Sequence, residues 1–116
     1  MINQWEIYMC HINGKDKDEK NLKPVLILSN NAVNHTLSIA TVLPISPINK
    51  GDKVYPTEIV LPVRISQLPK EAVVMIQQIQ TIPQSNLEKK LTTVEDQECK
   101  DQIKQALMNY FEMDEE

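Results

Sequence analysis

Prolines bound the apolar runs of this chain, and that punctuation restricts the fold more than any other feature. Pro24 opens the near-continuous apolar run of residues 24–29, Pro44 and Pro47 close the β-branched segment 37–45, and Pro56 and Pro62 bracket residues 57–61. A proline fixes its own φ, removes a backbone donor and pushes the preceding residue toward extended backbone, so these runs read as strands. Residues 4–10, with Trp5, Ile7 and Tyr8, read as a first strand on aromatic and β-branched content. Residues 72–76 and 78–82 are two more strands, with Gln77 and Gln78 at a bend between them. Asn13-Gly14 starts a polar loop that lasts to Leu22, and Asn30-Asn31 and Asn34-His35 are turn formers.

The C-terminal third changes period. Cys99, Ile103, Ala106, Leu107 and Tyr110 recur at three- and four-residue spacing between acids and lysines, which predicts an amphipathic helix. Thr92-Thr93-Val94-Glu95 fits a capping box at its start. The face expected to pack on the sheet, with some share in a partner interface, is Cys99, Ile103, Leu107, Tyr110 and Phe111. Short strands followed by one such helix imply a small curled β-sheet or barrel against which the helix packs. At 116 residues and 41% hydrophobic, the chain suits one domain over residues 1–116, with a core large enough to fold without staples.

Charge and cysteine usage narrow the function classes. Cys10 and Cys99 lie far apart, with no CxxC pair and no histidines at ligand spacing, so free thiols are expected and no metal site. The N-terminus lacks the pattern of a secretory signal, and no segment is long enough to span a bilayer, so a cytoplasmic location and no membrane partner are expected. The net charge of -4 argues against nucleic acid at first, but it is segregated. Residues 1–70 hold eight of the twelve Lys and Arg and six of the sixteen acids, so a locally positive face is compatible with an acidic protein.

Lys23 stands where the polar loop meets the rigid Pro24 strand, a place suited to holding a phosphate. Lys15, Lys17, Lys20, Lys50 and Lys53 lie in two loops that can flank a bound strand, although Asp16, Asp18, Glu19 and Asp52 dilute their field. His11 and His35 are the two imidazoles and hence candidate general bases, yet a lone histidine without a visible partner reads as structural or solvated. Trp5, Tyr8, Met9 and the apolar residues 39–43 can stack bases or form a dimer seam; core packing is their commoner fate.

The ordered set Trp5-Glu6-Ile7-Tyr8, Lys23-Pro24-Val25-Leu26-Ile27-Leu28-Ser29-Asn30, Leu43-Pro44-Ile45-Ser46, Pro56-Thr57-Glu58-Ile59, Leu68-Pro69-Lys70-Glu71-Ala72-Val73-Val74 and Gln78-Ile79-Gln80-Thr81-Ile82 resembles the MazF/PemK family of bacterial toxins. The resemblance implies an SH3-like small β-barrel with a C-terminal α-helix, usually a homodimer. It also implies a toxin of a type II toxin-antitoxin system, inhibited by a cognate antitoxin. The expected activity is that of a metal-independent endoribonuclease (mRNA interferase) that cleaves single-stranded RNA without a cofactor. There the 2'-hydroxyl attacks the adjacent phosphorus, giving a 2',3'-cyclic phosphate and a 5'-hydroxyl end.

Carried over residue by residue, the resemblance implies Lys23 and Ser46 as catalytic positions and Lys20, Asn30, Lys50, Gln78 and Gln80 as RNA-binding ones. Lys23 replaces the family's usual arginine: the charge survives, the planar bidentate fork is lost, and burial could tune a lysine toward acid catalysis. Ser46 matches the family's Thr or Ser at the end of the third strand; on its own it reads as a turn cap. Gln4-Trp5-Glu6 stands for the usual Arg-Gly-Asp and Gln80 for an arginine, so the chain carries three fewer arginines than the pattern. Each lost phosphate contact weakens an RNA site. The alternatives are a catalytically degenerate RNA- or antitoxin-binding protein of the same fold and, on a poorer match of the acidic tail 111–116, a gyrase-inhibiting toxin.

Overall fold

A computed structural model describes residues 1–12 and 22–113. Lys15, Lys17 and Lys20, most of the polar loop and the last three acids lie outside the described residues.

Among the described residues seven strands form one antiparallel sheet: β1 (Glu6–His11), β2 (Leu22–Ile27), β3 (Ile39–Pro47), β4 (Glu58–Leu61), β5 (Ala72–Met75), β6 (Gln80–Pro83) and β7 (Leu87–Thr93). The strand order is β4-β5-β3-β2-β1-β7, with β6 also on β3. Among the described residues the sheet does not close, with β4 and β7 at the two ends of this path. The mainly-β class with a C-terminal helix is as expected.

The nine-residue β3 organises the sheet because it changes partner along its length. Its first half, Ile39 to Val42, pairs with β6. Its second half, Ile45 to Pro47, pairs with β5. Between β5 and β6 the chain makes a 3-10 turn, Ile76–Gln78, at the expected bend. The other side of β3 pairs with β2, Val25 opposite Pro44 and Ile27 opposite Val42.

Strand alternation then sorts the core into two clusters. Ile7, Leu26, Leu43 and Ile45 point to one cluster, together with Leu61, Val74, Val94 and Ile103. Cys10, Val25, Ile27 and Val42 point to the other, with Ala40 and Ile82. Burial pushes the Cys10 thiol up to about 11, so it is a small apolar core residue rather than a nucleophile.

Four elements differ from the sequence reading. The turn formers after Asn30 build a short helix, α1 (Asn31–Thr36). The Asn30 side chain caps it by accepting from Val33 N–H, and buried Asn34 donates to the Ser29 carbonyl at 2.8 Å. Thr92 and Thr93 belong to β7, paired with Ile7 and Glu6, so the capping box does not form. The long helix α3 (Gln97–Phe111) starts instead at Asp96, whose carboxylate accepts from Cys99 N–H at 2.9 Å. A further short helix, α2 (Val63–Ser66), follows Pro62. Tyr110 and Phe111 are 45% and 47% exposed rather than packed on the sheet. The reason is reach: Cys99 and Ile103 are the buried residues of α3, and its last turn carries these two rings out beside each other, edge to face at 5.1 Å.

At the entry to β1, Trp5 adopts φ 73°, a left-handed conformation unusual for a bulky side chain. The surroundings hold it there. Its N–H donates to Ile27 O and its carbonyl accepts from Val94 N–H, both at 2.8 Å, while Lys100 lies over the indole at 5.5 Å. Next to it, Glu6 is buried between the Asn3 N–H at 2.6 Å and the Lys90 ammonium at 2.9 Å. Burial pushes the Glu6 carboxyl up, but these partners outweigh it and hold it below the ordinary carboxylate range. Trp5→Gly and Trp5→Ala lose the same ring packing, whereas only glycine adopts the left-handed backbone without strain. Trp5→Gly is therefore expected to be the more stable of the two by about 1 kcal/mol, read from urea midpoints. The opposite order would show that no backbone strain is stored at this position.

Candidate active site

Register places the two principal candidates side by side. The β2–β3 pairing of Val25 with Pro44, continued two residues toward the start of β2, sets Lys23 level with Ser46. By strand alternation Lys23 shares a face with Val25 and Ser46 with Val42, and both of those belong to the second core cluster. The 3-10 turn after β5 brings Gln78 to the same corner. Lys23, Ser46 and Gln78 line one cleft of about 190 Å³, with Ile12, Pro44, Ile45, Pro47 and Met75 completing its wall.

The chemistry of this cleft follows from its lining. Lys23 is exposed and meets an anion as a hydrated point charge. Ser46 is half-buried, its backbone paired with Val73 across the β3–β5 ladder. That pairing fixes the face from which its side chain leaves the strand, and its hydroxyl can donate to or accept from a phosphate oxygen. Gln78 offers a carboxamide on the third side.

The remaining positions are distributed differently. Gln80 pairs with Val42 and its side chain donates to the Gln78 carbonyl at 3.3 Å, so it abuts the cleft and supports its turn. Lys50 is exposed in the turn closed by Asp52 N–H on Asn49 O at 3.0 Å and does not line the cleft. Asn30 lies past the other end of β2, where its side chain caps α1. Lys20 lies outside the described residues. Gln4, at the former arginine position, is spent on the fold: its side chain donates to Leu28 O and its N–H to Asn31 Oδ1, both at 2.7 Å.

The histidines are engaged elsewhere. Buried His11 bonds Glu88 at 2.9 Å, and among the described residues its Nδ1 has no partner. His35 bonds the Ile2 carbonyl at 3.0 Å and Asn3 Oδ1 at 2.9 Å, tying the N-terminal segment to α1. Ile12 and Met75 are wall residues that sequence reasoning did not single out; being apolar, they carry no signal there. Among the described residues no cluster of three or more His, Cys, Asp or Glu is placed to hold a metal ion. No helix among them is long and apolar enough to cross a membrane.

Known structures share this architecture. The Mycobacterium tuberculosis toxin MazF-mt6 superposes with a TM-score of 0.75 at 24% identity, over 95% of this chain and 99% of that one. A mycobacterial endoribonuclease solved in complex with its cognate antitoxin gives a TM-score of 0.78 at 21% identity, with both chains fully covered. MazE-MazF from Deinococcus radiodurans gives 0.74 at 19% identity, over 97% of each chain. At these identities the likeness establishes the fold. Residues 3–111 match the family model described as the PemK-like, MazF-like toxin of type II toxin-antitoxin system. With nearly the whole chain matched and the fold in agreement, this chain belongs to the PemK-like, MazF-like toxins of type II toxin-antitoxin systems.

Proposed function

We propose that this toxin is a metal-independent endoribonuclease that cuts single-stranded mRNA at a phosphate held between Lys23 and Ser46. The observation that carries this reading is the convergence of Lys23, Ser46 and Gln78 on one cleft from three separate elements. Family membership and the endoribonuclease among the structural relatives support the reaction class. The RNA 2'-oxygen attacks phosphorus as its proton leaves, the bond from phosphorus to the 5'-oxygen breaks, and that oxygen takes up a proton. The Lys23 ammonium stabilises the charge that builds on the non-bridging oxygens, and the Ser46 hydroxyl orients them and relays a proton. Gln78 positions the strand.

The partners follow the same reading: a cognate antitoxin blocks the cleft, and the toxin works as a homodimer in the cytoplasm. The test is cleavage of single-stranded RNA by purified protein in EDTA with the ends mapped. Cleavage leaving 2',3'-cyclic phosphate and 5'-hydroxyl ends is the expected result. Cleavage that stops in EDTA, or that leaves 5'-phosphates, would overturn it.

One observation favours a second reading, a toxin relative that binds RNA or antitoxin without cutting. Two former arginine positions, Gln4 and Gln80, are committed to protein carbonyls rather than turned to a ligand. RNA binding without cleavage, unrestored in the double variant Lys23→Arg, Gln80→Arg, is the outcome that selects it.

A further inference from the structure

Across Pro47 from the Lys23–Ser46 cleft lies a second depression of about 350 Å³, walled by Met9, Pro24, Pro47, Leu68 and Pro69 with Lys70 at its rim. The two hollows are neighbours divided by Pro47. Pro24 follows Lys23, and Pro47 follows Ser46 and lines both. The fold builds this wall deliberately from separate elements. Met9 stands opposite Pro24 in the β1–β2 ladder, and the Leu68-Pro69 segment runs from α2 into β5, whose Ala72 pairs with Pro47.

The chemistry of the wall limits its occupant. Three pyrrolidine rings, a leucine and a methionine present apolar faces, and prolines offer no backbone N–H. Apart from the Lys70 ammonium, which bonds the Asn49 carboxamide, the wall side chains offer only a weak sulfur acceptor. Such a surface cannot read the hydrogen-bonding edges of a base, but it can hold a flat ring by its face. Lys23 on one side and Lys70 on the other suit the phosphates of a chain that crosses the ridge at Pro47.

We infer that this depression is a stacking subsite for one unpaired nucleobase of the bound RNA, next to the phosphate at Lys23 and Ser46, and that it accepts all four bases. The inference rests on the proposed nuclease site. Because the platform is aliphatic, the contribution sits at the low end of measured base stacking, about fivefold to tenfold in affinity.

The experiment walks a single abasic nucleotide through an RNA with one cleavage site, reading kcat/KM for cutting. In parallel, fluorescence anisotropy measures binding of the same strands carrying a 2'-deoxy residue at the cut position. One abasic position beside the cut bond is expected to lower both about fivefold to tenfold, while A, C, G and U there differ by no more than about threefold. Pro69→Ser, at an exposed position, should lose the same factor on intact RNA and nothing further on the abasic strand. Leu68→Gln should do likewise, and if it fails to fold the Pro69 variant decides.

Tolerance of every abasic position, or strong selection of one base, overturns the inference. Unchanged RNA binding with weakened antitoxin inhibition in Pro69→Ser also overturns it, and assigns the hollow to an apolar peptide side chain. If the protein binds RNA without cutting it, the nuclease reading fails while the anisotropy series still decides the subsite. A protein that binds no RNA overturns both.

Discussion

Lys23→Met is expected to lower kcat/KM for the proposed RNA cleavage by about 100-fold to 1000-fold, the loss that follows when one charged donor to a developing oxyanion is removed. The fall is expected in kcat rather than KM, because the charge on the phosphorane-like transition state exceeds that of the ground-state phosphodiester. The side chain is exposed, so the substitution should change stability by no more than about 0.5 kcal/mol, and lost activity cannot be lost fold. Lys23→Arg is the informative partner. A guanidinium at the same backbone position restores the bidentate grip on phosphate, so this variant should equal or exceed the parent. Single-turnover cleavage of one defined RNA, with circular dichroism on each variant, checks both. Cleavage that persists unchanged in Lys23→Met and in Ser46→Ala would remove the site from this cleft.

The strands were legible in the sequence where prolines bound them, because proline excludes the helical alternative locally. The elements that escaped lack such a local sign. β7 carries Glu88, Lys89 and Lys90 at its centre and looks like a solvated charge run. It is an edge strand, where charged side chains blunt further pairing and cost nothing in burial. α1 is six residues long and rich in Asn, so propensity favours a turn. Tertiary bonds from Asn34 and His35 stabilise it as a helix. Thr92 and Thr93 satisfied a capping pattern, but β-branched residues opposite Ile7 and Glu6 fit a ladder at least as well.

The candidate site was half legible. Lys23 and Ser46 came from an ordered resemblance, and register explains why residues 23 positions apart meet. Gln78 was named by the same resemblance, but its place in the cleft depends on where β3 exchanges β6 for β5, which no local pattern encodes. Asn30 shows the opposite case. Its place in the motif suggested RNA, while its side chain satisfies the start of a helix.

The correction to the helix face carries the largest stability effect. Of the residues predicted to pack, Ile103 is fully buried, while Phe111 is 47% exposed. Ile103 joins α3 to the first core cluster beside Leu61, Val74 and Ile76, and Ala106 and Leu107 pack only partly against it. Truncation there removes buried methyl groups and leaves a cavity under a helix with few other anchors. Ile103→Ala should therefore cost about 3 to 4 kcal/mol. That is a large share of the roughly 5 to 15 kcal/mol typical of a domain, and corresponds to a fall in Tm of about 10 to 15 °C. Phe111→Ser, eight residues further along the same helix, should cost less than about 1 kcal/mol. Thermal and urea unfolding of the two variants read the contrast directly. Equal losses would mean that the last turn of α3 is buried after all, as helical periodicity alone would have it.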